Sequence, residues 1–127
     1  MNKYKICPNI VISDSVSVVT VDGVATLVID LPAGTYGNGC VYNVIVAQSI
    51  PATATIAMPV AFSIGGVTTT VYPFINCNCV QVNACGIHTR TRYPVRVLTN
   101  TTGGVLRSLR PICCYETDNL SSLPVTT

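Results

Sequence analysis

Charge is what this sequence has least of. Asp, Glu, Lys and Arg make up 9% of its 127 residues, against roughly 25% in an ordinary soluble domain. The acids are Asp14, Asp22, Asp30, Glu116 and Asp118, and the single histidine is His88. Acid–base chemistry has little material here, and a non-enzyme is expected. Tryptophan is absent and the phenylalanines are only Phe62 and Phe74. Stacking platforms for bases are scarce, and a net charge of +2 is too small to draw nucleic acid by itself. One Glu and two Lys exclude a coiled coil, and 49% apolar residues exclude a disordered chain.

What is present is β-branched. Valine, isoleucine and threonine account for 46 of the 127 residues, whereas leucine contributes 7. Such side chains are stiff at χ1, crowd a helix and suit a pleated surface. The runs Ser15 to Val21 and Val24 to Asp30 flank Asp22-Gly23, which predicts a hairpin with a type I′ turn. Further strands are expected over Cys40 to Gln48, Thr53 to Ile64, Val67 to Tyr72 (after a Gly65-Gly66 turn), Ile75 to Val82, Ile87 to Leu98 and Val105 to Leu109. The pattern predicts a single antiparallel β-sandwich, jelly-roll-like, of about eight strands. It spans residues 1–127 as one domain, with an extended C-terminal tail from about 111.

No charged residue occurs from Leu31 to Thr89, and Val44 to Ile64 is strongly apolar. Gln48, Ser49, Pro51, Pro59 and the Ala/Thr alternation argue for two buried strands joined near Pro51 over a membrane span. Lys3 and Lys5 lead only into Ile6-Cys7-Pro8, so no secretory signal is read.

Cysteines number seven, an odd count. A chain without a secretory signal is expected to keep its thiols free, as small partly buried hydrophobes. Cys77, Cys79, Cys85 and His88 are zinc-ligand types, with Cys77 and Cys79 expected on one strand face, but paired C-x2-C knuckles are missing. No metal and no cofactor is expected. Disulfide cross-links through Cys7, Cys40, Cys113 or Cys114 are the alternative.

All five arginines fall late: Arg90, Arg92, Arg96, Arg107 and Arg110. Positions 90, 92 and 96 differ by even numbers, so a regular strand projects them from one face, with Tyr93, Val95 and Val97 on the other. Guanidinium groups in a row fit an acidic partner surface. A solvated edge that discourages aggregation is the plainer reading of the same residues. Pro94 threatens the register.

A small, threonine- and valine-rich chain with a hairpin from Ser15 to Asp30, a charge-free middle and a non-helical tail after Pro111 resembles the auxiliary or decoration proteins of tailed-phage capsids. The resemblance implies a domain that docks on a shell within a virion, assembled in the host cytoplasm. Its partners are then copies of itself and other structural subunits, with no membrane and no nucleic acid. A disulfide-linked filament subunit of a bacterial cell or spore surface is the second expectation. Either way, so weakly charged a surface is expected to be covered by other molecules.

Overall fold

The computed structural model describes residues 10–100 and 103–112. Cys7, Cys113, Cys114 and most of the expected tail lie outside them. The described chain is all-β: β1 (Ile10–Ile12), β2 (Ser15–Val21), β3 (Val24–Leu31), β4 (Val41–Val46), β5 (Val60–Ile64), β6 (Val67–Ile75), β7 (Thr91–Asn100) and β8 (Gly103–Ser108), with a single 3-10 turn at Ala84–Gly86. The strands form one sheet in the order β1-β4-β7-β8-β6-β5-β3-β2.

This sheet is mixed, which corrects the expectation of a purely antiparallel sandwich. β1 pairs with β4, β3 with β5 and β6 with β8 in parallel, while the other four neighbouring pairs are antiparallel. Hairpins can only give antiparallel neighbours, and parallel pairs need a longer crossover. Each parallel pair here is separated in sequence by at least one strand that lies elsewhere in the order.

The sheet is curled, and two corners make it so. β6 pairs with β5 up to Pro73 and with β8 from Phe74 onward. Proline at the change of partner suits a residue with no ladder donor to give. The second corner joins the ends of the order: β1 and β2 stand at opposite ends of the sheet, yet only Ser13 and Asp14 separate them. Ser13 N–H donates to Ile45 O at 3.0 Å and Asp14 N–H to Asp30 O at 2.8 Å, so the chain passes from β4 to β3 within two residues. Ser13 is buried; its hydroxyl accepts from Ala47 N–H at 3.0 Å and pairs with the Gln48 amide, whose Nε2 donates to Ser13 O at 2.8 Å. Ser13→Ala strands these groups and is expected to cost about 1–3 kcal/mol, read by urea denaturation. A variant as stable as wild type would show that the corner does not depend on this hydroxyl.

The concave side holds one core. Tyr42, Val44 and Val46 of β4 and Tyr93, Val95 and Val97 of β7 are buried at every second position, as the two-residue period of a strand requires, and Leu27, Ile29 and Leu31 of β3 join them in the core, while Thr26 and Val28 on the other face of β3 are buried as well. Both expected glycine hairpins form. Asp22 and Gly23 have φ of 51° and 82°, and Gly65 and Gly66 have 64° and 81°, the double positive φ of a type I′ turn.

Of the expected strands, the one over Thr53 to Ile64 forms only in its second half, as β5, and the one over Ile75 to Val82 does not form. Residues 53–59 fold into successive turns, with Ala54 N–H donating to Pro51 O and Met58 N–H to Thr55 O; Ala54 and Met58 reach the core. Residues 76–83 form a loop that wedges between β5 and β6 where β6 turns away. Val82 N–H donates to Phe74 O and Val60 N–H to Val82 O, while Gln81 Nε2 donates to Val60 O and Phe74 O.

Candidate functional site: the arginine face

β7 is a regular strand, paired on one side with β4 over Val41–Val46 and on the other with β8 over Gly103–Ser108. Pro94 does not break it. A strand residue's N–H and C=O point to the same side, and Pro94 O accepts from Leu109 N–H at 2.9 Å, just past the end of β8. The missing donor therefore faces the frayed end of a ladder, and pairing to β4 is untouched.

With Tyr93, Val95 and Val97 buried, Arg92 and Arg96 project from the convex face and are exposed. Arg107 lies directly opposite Arg96 on β8 and shares that face, between the buried Leu106 and Ser108. Two rows result. Ile12, Ile45 and Arg92 sit side by side across β1, β4 and β7; Val41, Arg96 and Arg107 sit across β4, β7 and β8. Four residues separate the rows, a spacing of about 13 Å. Ile10 and Ile12 extend the face with apolar surface, 62% and 53% exposed.

The guanidinium groups are held by backbone carbonyls. Arg96 Nη1 donates to Gly39 O at 3.1 Å, Arg107 Nη2 to Cys77 O at 2.6 Å and Arg110 Nη2 to Arg92 O at 2.6 Å. Each bond uses part of a five-donor fork and leaves charge to offer a partner. Asp30, by contrast, lies on β3, where its carboxylate accepts from Ser63 Oγ and Gly66 N–H. Asp14 and Asp22 are exposed at the two ends of β2. Asp22 and Asp30 thus lie on the β2–β3 side of the sheet, while Asp14 stands at the corner, two residues beyond Ile12 of β1.

Arg90 departs from expectation. It precedes β7 in a turn with φ of 61°, its N–H donating to Val46 O, so it is exposed but not in the strand's alternation. Arg107 joins Arg96 through the register of β7 and β8, which runs from Asn100 opposite Gly103 to Arg96 opposite Arg107; the sequence reading grouped the two without pairing them.

The remaining candidates disperse. Cys77 and Cys79 lie in the 76–83 loop and not on a strand face, and both thiols are free. Cys40, before β4, and Cys85, in the 3-10 turn, are disulfide-bonded. The expectation of free thiols fails at these two positions, and Cys85 loses the thiolate that zinc would need. Among the described residues no three His, Cys, Asp or Glu side chains converge. His88 is half-buried, and its backbone N–H donates to Tyr93 Oη at 2.7 Å. It lines a cavity of about 290 Å³ with Thr91, Tyr93, Arg110 and Ile112, and among the described residues the walls carry neither an acid nor a free thiol. A larger groove of about 620 Å³ runs beside β1, walled by Ile10, Ile12, Pro32, Tyr36 and Tyr42. No helix among the described residues is long and apolar enough to cross a membrane.

Tyr93 joins the core to this region. Its hydroxyl donates to Gly86 O at 3.2 Å while accepting from His88 N–H. Burial is the main cause raising its phenol above the usual range. The folded state therefore holds this proton more tightly than the unfolded chain. The corresponding stabilisation is complete below the ordinary tyrosine range and disappears as pH rises through the folded-state value. The melting temperature is expected to fall over that alkaline window, and to fall less steeply in Tyr93→Phe. Identical alkaline slopes would contradict this assignment.

In comparisons of the whole chain, no protein-family model, curated protein or solved structure matches.

Proposed function

We propose that this chain is a structural subunit of a virus particle, an auxiliary capsid protein that docks on the shell of a tailed phage through its arginine face. The observation that supports the docking is the convex surface of β1, β4, β7 and β8. It sets Arg92 in a row with Ile12 and Ile45 and Arg96 beside Arg107 and Val41 in the next, and none of the described acids lies on those four strands. Arginine amid apolar side chains is the composition of a protein interface. The division of labour follows from magnitudes. An exposed Arg–carboxylate pair contributes about 0.2–1 kcal/mol, so three such pairs orient a partner. Affinity comes from the isoleucines, at roughly 25 cal/mol per Å² of apolar surface covered. The partners are copies of this chain and other subunits, and no catalysis is assigned. In this reading the curled sheet acts as a jelly-roll-like block that turns its convex arginine face to the shell.

The test pairs two variants. Arg92→Ser, Arg96→Ser and Arg107→Ser together should abolish incorporation into particles while the melting temperature stays within a few degrees of wild type. Arg90→Ser, off the face, should incorporate normally. Normal incorporation of the triple variant removes the docking role. Mass spectrometry that finds the chain missing from purified virions removes the particle.

The disulfide-bonded Cys40 and Cys85, with the exposed Cys79, favour one second reading: a cross-linked filament subunit on a bacterial cell or spore surface. Disulfides persist in oxidising surroundings, which both the virion and the cell surface provide.

A further inference from the structure

A sheet edge carries unpaired backbone groups, and β2 is one of the two edges of this sheet. Where its groups point follows from the strands beside it. Leu27 N–H donates to Pro59 O and Leu31 O accepts from Gly65 N–H, so Leu27, Ile29 and Leu31 turn to β5 while Val24, Thr26, Val28 and Asp30 turn to β2. Their register partners on β2 are Val21, Val19, Ser17 and Ser15. Along a strand, the N–H and C=O of successive residues point to opposite sides. Val16, Val18 and Thr20 therefore aim three N–H and three C=O groups at the open side, where no described strand lies.

Nothing blunts this edge. β2 has seven residues with no charge and no proline, and its register with β3 is unbroken. Proteins that keep an edge free usually place a charge, a proline or a bulge there, or make it short. The other edge, β1, is short, with three residues. Val16 and Val18 are only half-buried where they pack against the core, so an added strand completes their cover.

Charge selects the occupant. Asp14 and Asp22 are exposed at the two ends of β2, Asp30 follows on β3, and no Lys or Arg occurs from Ile10 to Thr89. Two β2 edges paired antiparallel about Val18 would set Asp14 of one copy opposite Asp22 of the other at both ends, an unfavourable pairing. The residues after Ile112 bring two further acids, Glu116 and Asp118. Both lysines, Lys3 and Lys5, lie in the nine residues before β1, where they alternate with Tyr4 and Ile6. Nine extended residues span about 30 Å, enough to follow the roughly 23 Å of β2. In its own chain this segment runs into Ile10 and has to double back past Ile10–Asp14 before it meets Ser15, so most of β2 lies beyond its reach.

We infer that residues 1–9 of a second copy of this chain add to the free edge of β2 as a further strand, with Tyr4 and Ile6 covering Val16 and Val18 and with Lys3 and Lys5 drawn by Asp14 and Asp22. Backbone bonds along the edge supply the affinity and the alternating side chains set the register. The contact is head-to-tail, the arm of one copy on the edge of the next. β2 is not part of the arginine face, and the inference does not rest on the virion reading.

Light scattering of the full chain against concentration tests it with two variants. Thr20→Pro removes an outward N–H that the ladder to β3 does not use. Lys3→Glu with Lys5→Glu reverses the charge of the arm and leaves the edge intact. Both should melt within a few degrees of wild type. Wild type is expected to associate, and each variant alone to need roughly tenfold more protein or to stay monomeric. The two variants mixed should form one-to-one dimers, since one keeps its arm and the other its edge. Three results would overturn the inference: wild type monomeric at every concentration, either variant associating as wild type does, or a mixture that stays monomeric. Association of the lysine variant alongside a monomeric Thr20→Pro would show that the edge takes another strand.

Discussion

Phe74→Ala is expected to destabilise the fold by about 3–5 kcal/mol. Phe74 is fully buried at the corner where β6 exchanges β5 for β8. Its ring meets Phe62 edge-on at 4.9 Å and Tyr93 at 6.1 Å, linking β5, β6 and β7 through one side chain. β6 and β7 are not neighbours in the sheet, so this contact exists only because the sheet curls. Truncation removes apolar burial, two aromatic contacts and the filling of the corner together. Val24→Ala, at a position 52% exposed on the rim, should change stability by no more than about 0.5 kcal/mol. Comparable losses for the two variants in urea denaturation would mean that the core does not hold the curl.

Reducing the chain is expected to have the second largest effect. Cys40 and Cys85 are disulfide-bonded, and a native bridge typically contributes about 2–4 kcal/mol by restricting the unfolded chain. Both residues sit where that restriction is useful. Cys40 closes the loop into β4, with its N–H on Gly37 O and its carbonyl accepting from Val97 N–H of β7. Cys85 is buried in the 3-10 turn that follows the wedge loop. A lower melting temperature in dithiothreitol is expected for wild type and equally for Cys77→Ser. An unchanged melting temperature would show that the bridges do not support the fold.

Local features were legible in the sequence and non-local ones were not. Asp22-Gly23 and Gly65-Gly66 announce their hairpins because two positive φ angles in a row need such residues. The alternation at Tyr93, Val95 and Val97 announces a core face, and the structure buries all three. Parallel pairing leaves no such trace, since β3 meets β5 and β6 meets β8 across other strands. β1 has three residues, too few for a period to show. Thr53 to Met58 alternates like a strand, yet small alanines give a sheet little to pack, and turns seeded at Pro51 and Thr55 prevail. At the candidate site, even spacing correctly placed Arg92 and Arg96 together, and failed for Arg90 because a left-handed turn precedes the strand.

Arginine footprinting tests the docking face most directly. Phenylglyoxal is applied to the isolated chain and to the native assembly, and modification is read residue by residue. Arg92 and Arg96 should react in the isolated chain and be protected in the assembly, while Arg90 reacts in both. Equal reactivity of Arg92 and Arg96 in the two states would mean that the convex face stays in solvent and that the subunits meet elsewhere.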